Sequence, residues 1–216
     1  MNNIVPKNTA GRPFPLTTIL IIVINAAIYL WLNHRPDFEY VIIQHGFIPS
    51  QFEFTDVFTS LFLHEDFFHL AFNMWFLWIF GDNIEEKLGP FLFGIFYLLG
   101  GAFANVLYWT THPDPFLTIG ASGAISAVLG SYLIFCPDTK ISFLALPVPS
   151  LERFEMDAFN YFGVWFIGQF IMFLFGGQEV NYVVHLSGFI FGIFCAAVIN
   201  YLKERGNSSE TRRKPS

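Results

Sequence analysis

Long uncharged runs alternate with short polar stretches along this chain, and the spacing predicts six membrane-crossing helices at residues 16–32, 64–80, 90–109, 118–136, 158–175 and 180–201. A bilayer-spanning helix needs about 20 mostly apolar residues, and each run comes close to that length. The first run is too long for a signal-peptide core and is followed by further runs, so it reads as an uncleaved helix. Residues 33–63 form a long connection rich in Phe and Ile, expected to lie along the membrane interface. Residues 81–89 read as a short polar turn, with Glu85, Glu86 and Lys87 solvated. Residues 137–157 hold an apolar stretch, 141–148, too short to cross and broken by Pro147 and Pro149, which places it on the surface. The organisation is a cytoplasmic segment 1–15, a six-helix domain 16–202 and a basic tail 203–216 expected to be disordered. The fold class is an all-α membrane bundle.

Composition sharpens this. Of 216 residues, 54% are hydrophobic and 13% charged, about half the charged share of a soluble domain. Mean hydropathy is +0.50. Such a chain excludes a soluble enzyme or a nucleic-acid binder. The net charge of -6 says less than where the cations fall. With six crossings, ten of the eleven Lys and Arg residues fall on the side of the termini, and only Arg35 falls opposite. The positive-inside rule makes that side cytoplasmic. Cys136 and Cys195 lie in apolar runs and read as small hydrophobes.

Helices two, four and six then run in the same direction, from the outer face inward. His69 and Asn73 follow Asp66 by three and seven residues, Ser122 follows Asp114 by eight, and His185 follows Glu179 by six. At helical rise these offsets put four polar side chains within about 12 Å of the outer edge. Polar groups at membrane depth are costly and are commonly there for function. A serine touching a histidine suits nucleophilic catalysis, because imidazole takes the hydroxyl proton as oxygen attacks a carbonyl. An Asn amide, a His N–H and backbone N–H groups at a helix start can hold the oxyanion. No carboxylate sits deep in an apolar run, so a hydrolase here would use a dyad rather than a triad. Small residues around Ser122 and His185, including Gly188 and Gly192, let helices four and six approach closely.

Three motifs together resemble the rhomboid family. Gly120-Ala121-Ser122-Gly123 is similar to its GxSG motif, and His185-Leu186-Ser187-Gly188-Phe189-Ile190-Phe191-Gly192 to its HxxGxxxG motif. His64 to Met74 resembles its HxxxxHLxxNM element. The resemblance runs from about residue 47 to residue 201. It implies an intramembrane serine endopeptidase with Ser122 as nucleophile and His185 as general base. His69, Asn73 and the Ser122 N–H would form the oxyanion hole, with His64, Gly120, Gly123 and Gly188 in support. The implied partners are single-span transmembrane substrates and membrane lipid, with no cofactor, metal or nucleic acid. The short form resembles bacterial members, which suggests a bacterial inner membrane with both termini cytoplasmic. The chain departs from the family in two places. Thr55-Asp56 stands where Trp-Arg is common, and Ser126 stands where an aromatic commonly stacks under the catalytic histidine.

Two rival functions remain at the sequence level. One is a rhomboid-like binder without proteolysis, although such relatives usually lose Ser or His. The other is a metal or proton transporter, although His64 and His69 are five apart and fit poorly on one helix face.

Overall fold

The computed structural model describes residues 13–112, 116–144, 153–175 and 181–211. Six long helices form an all-α membrane bundle: α1 (Leu16–Asn33), α4 (Phe67–Leu88), α5 (Pro90–Thr111), α6 (Ser122–Phe135), α7 (Ala158–Leu174) and α8 (Tyr182–Thr211). Two short helices, α2 (Phe38–His45) and α3 (Asp56–Thr59), occupy the long first connection. By length and composition α1, α5 and the Tyr182–Arg205 part of α8 can each cross a membrane. Large apolar side chains such as Val23, Phe72, Trp75, Trp78, Val164 and Ile190 are exposed around the bundle. A water-soluble protein rarely presents so much contiguous apolar surface. These side chains are the lipid-facing belt.

The core lies where α4, α5, α6 and α8 meet, with Leu77, Phe93, Tyr97 and Val128 fully buried. The α6–α8 pair is the tightest contact because glycines remove the side chains between the two backbones. A Cβ on Gly188 would collide with the Gly123 carbonyl, one on Gly192 with the Ala127 carbonyl, and one on Gly130 with the Phe189 carbonyl. Lipid tails offer no hydrophobic drive for helix pairing, so this close van der Waals contact is what holds the pair.

Several expectations are corrected. Helix α6 begins at Ser122, not at residue 118, because the preceding stretch enters extended and is pinned to the first connection. Phe47 and Thr118 exchange two backbone hydrogen bonds, of 3.0 and 2.8 Å. An α6 of 14 residues is about 21 Å long; the extended approach, rising about 3.3 Å per residue, makes up depth that the helix lacks. Helix α4 runs on to Leu88, so the polar turn shrinks to Gly89, whose φ of 80° glycine adopts without strain. Glu85 is not solvated. It is 4% exposed and accepts from Thr17 N (2.9 Å), Thr18 N (2.8 Å) and Thr18 Oγ1 (2.7 Å). The carboxylate thus satisfies the free N–H groups at the start of α1.

The apolar stretch at 141–148 contributes to an antiparallel hairpin, β1 (Lys140–Leu144) with β2 (Arg153–Asp157). Its two prolines lie outside the described residues. The stretch beginning at residue 203, read as disordered, continues α8 through Thr211. The segment 1–12, Asp114, the Gly176–Glu179 loop and residues 212–216 also lie outside the described residues.

Candidate active site

Ser122 is the first residue of α6, so its N–H has no partner one turn back within the helix. The turn before it needs glycine. Gly120 has φ 108°, and a Cβ there would sit 2.6 Å from His69 Nε2 and 3.6 Å from Asn73 Nδ2. This close approach lays the Gly120–Ser122 turn directly against the two α4 side chains. The turn is anchored from behind by a donated bond from Gly120 N to the Ser60 carbonyl (2.9 Å). Ser60 is in turn held by the buried Asn105 of α5, whose Nδ2 donates to Ser60 Oγ and the Val57 carbonyl, both at 3.0 Å.

His69 and Asn73 sit four apart on α4 and share a face. The helix starts sharply because Asp66 caps it, its Oδ1 accepting from His69 N at 2.9 Å. The amide nitrogen of Asn73 is buried and finds no acceptor among the described residues. Buried donors are normally paired, so a free donor on a cavity wall is available to a bound group. His64 is 1% exposed, and its ring meets that of His69 edge-on at 5.0 Å. It packs behind His69 rather than facing the cavity.

His185 lies in the first turn of α8. Asn181 opens that helix by accepting from Val184 N at 3.1 Å, while its Nδ2 donates to Thr118 Oγ1 at 2.9 Å. One residue thus ties the start of α8 to the extended approach of α6. His185 is three residues before Gly188 and Ser122 one before Gly123, so across the Gly123–Gly188 contact the two lie within about 3 Å of the same depth. Both line one cavity of about 410 Å³, whose wall also includes His69, Asn73, Ser126, Trp165 and Asn181. Chemically, the wall of this one cavity carries a hydroxyl, two imidazoles and side-chain amides.

Three residues at or beside this site were not singled out from the sequence. Asn181 is one. Trp165 of α7 lies beside His185, ring centroids 6.3 Å apart and tilted 30°. Gln169 Oε1 is 2.7 Å from His185 Nδ1. Ser126, where an aromatic is common in the family, is buried and on the cavity wall, and these two α7 side chains lie beside His185. A signal for Gln169 was present: it is a lone amide near the end of an apolar run, five residues before α7 stops, while His185 is three after α8 starts. In an antiparallel pair those positions share a depth. Of the family departures, Asp56 is 8% exposed and receives a 3.2 Å bond from Thr55 Oγ1, so this corner is a local polar cap.

The rhomboid domain family matches residues 51–201 of the chain. Over 194 residues, 80% of this chain and 61% of the relative, it is 29% identical to Rhomboid-like protein 11, chloroplastic, of Arabidopsis thaliana. It is 32% identical to Rhomboid protein 1, mitochondrial, of Saccharomyces cerevisiae, over 51% of this chain and 33% of that one. It is 30% identical to the human Presenilin-associated rhomboid-like protein, mitochondrial, over 62% of this chain and 35% of that one. The chain therefore spans between 33% and 61% of the length of these relatives. Together the matched residues and the six-helix bundle carry one conclusion: this chain is an integral membrane protein belonging to the rhomboid family.

Proposed function

We propose that this chain is an intramembrane serine endopeptidase that cleaves the transmembrane segment of single-span membrane proteins through Ser122 and His185. One observation carries the reading. Ser122 and His185 line the same cavity as Asn73, whose amide nitrogen has no acceptor among the described residues. In the mechanism, His185 takes the Ser122 hydroxyl proton as Oγ attacks the scissile carbonyl. The oxyanion is held by the Ser122 N–H, the Asn73 amide and a His69 N–H. The His185 imidazolium then gives its proton to the leaving amine, and water hydrolyses the acyl-enzyme by the same steps in reverse order. The substrate must unwind near the cut, because a carbonyl in a hydrogen-bonded helix is hidden.

The cavity rim favours a substrate arriving from the lipid. Phe72 lines the cavity and is exposed on the lipid-facing side of α4, and α7, the other wall, buries only Ala158 and Phe162. Both termini belong on the Lys/Arg-rich side, which the rule makes cytoplasmic. Arg35, the single opposing cation, is locally neutralised by two bonds to Asp37 of 2.8 and 2.7 Å. The relatives' names point to organelles, so the bacterial inner membrane expected above gains no support and is not part of this proposal.

The test is cleavage of a single-span substrate panel by the purified chain in liposomes. Wild type should cut, while Ser122→Ala and His185→Ala should not, with unfolding temperatures unchanged. Cleavage by Ser122→Ala at the wild-type rate would overturn the proposal.

A further inference from the structure

A dyad without a carboxylate leaves open what keeps its imidazole in the reactive tautomer. Neutral histidine carries one proton on either ring nitrogen, and only the nitrogen without it can act as base. The Gln169 side-chain oxygen lies 2.7 Å from His185 Nδ1, and an amide oxygen accepts, so this contact pairs with a proton on Nδ1. The lone pair then belongs to Nε2. We propose that Gln169 is a positioning residue for His185, holding the proton on Nδ1 and leaving Nε2 free to take the Ser122 proton, and that it does so only while α7 is seated on α8. This rests on the serine-endopeptidase reading above.

The dependence on α7 follows from how that helix is attached. Its buried residues, Ala158 and Phe162, lie at its first two turns. Phe162 is fully buried against Phe80 and Tyr132, ring centroids 5.1 and 5.7 Å away. Gln169 lies seven residues further on, in the half of α7 with no buried residue, where a Cβ on the neighbouring Gly168 would meet open space. If this half swings outward to admit a substrate, it carries the acceptor away from His185. Base alignment and closure of α7 then become one event.

Rates of Ser122 labelling by a fluorophosphonate, followed between about pH 5 and 9, test the idea in purified full chain. The variants are Gln169→Leu, Gln169→Glu and Ser122→Ala, each with its unfolding temperature. The other ionisable groups on the same cavity are His69 and Glu65, and they are common to all variants. Gln169→Leu should label about tenfold to a hundredfold more slowly at the plateau, the loss expected for one hydrogen bond to a group that becomes charged. Gln169→Glu keeps an acceptor and should recover most of the rate. It should also move the acidic limb to higher pH, because a carboxylate favours the imidazolium. Labelling of Gln169→Leu at the wild-type rate would overturn the proposal, and so would Gln169→Glu as slow as Gln169→Leu. Wild-type labelling no greater than that of Ser122→Ala would instead defeat the endopeptidase reading itself.

Discussion

The Gly123–Gly188 contact is the joint on which the alignment of Ser122 with His185 depends, and Gly188→Ala tests it. The added methyl would fall well inside van der Waals distance of the Gly123 carbonyl oxygen, with Ser126 Cβ only 3.2 Å away. The obstacle is backbone, so no side-chain rotation relieves it. Restoring ordinary contact requires α6 and α8 to separate by about 1 Å. Overpacking of this kind costs about 1–3 kcal/mol, and in the proposed mechanism a shift of about 1 Å between Ser122 and His185 costs about a hundredfold in rate. Gly168→Ala is the control, since its Cβ would meet nothing within 4 Å. Helix propensity alone should make that variant about 0.5–1 kcal/mol more stable. Thermal unfolding in detergent, with fluorophosphonate labelling of the same samples, reads both effects. Gly188→Ala should unfold earlier and label far more slowly, while Gly168→Ala does neither. Wild-type stability and labelling in Gly188→Ala would refute the reasoning.

Two further outcomes follow from named contacts. Asn73→Ala removes the free donor facing the cavity and should slow cleavage about a hundredfold or more, with unfolding unchanged; a scan and a cleavage assay check this together. Glu85→Leu strips three hydrogen bonds from the start of α1 and should cost about 3 kcal/mol. Because Glu85 lies about 24 Å along α4 from His69, labelling per folded molecule should stay at the wild-type level.

How much of this was legible in the sequence depends on the range of the interaction. The six helices were readable because lipid demands long apolar runs, and each run announces itself without reference to any other. The grouping of Ser122, His185, His69 and Asn73 was readable for a related reason: few polar residues are tolerated at that depth, and topology fixes which ones share it. The start of α6 was not readable, since an apolar run looks alike whether helical or extended, and only the Phe47–Thr118 pairing decides it. Glu85 looked solvated because its partners, Thr17 and Thr18, are 68 and 67 residues away. Asn181 and Gln169 carried polarity without a motif, and their partners Thr118 and His185 emerge only when helices pack.

The most direct measurement is mass-spectrometric mapping of the residue modified when purified wild-type chain reacts with a fluorophosphonate. The account predicts a single adduct on the peptide carrying Ser122, absent when His185 is replaced by alanine although the protein remains folded. An adduct on another residue, or an undiminished Ser122 adduct in His185→Ala, would contradict it.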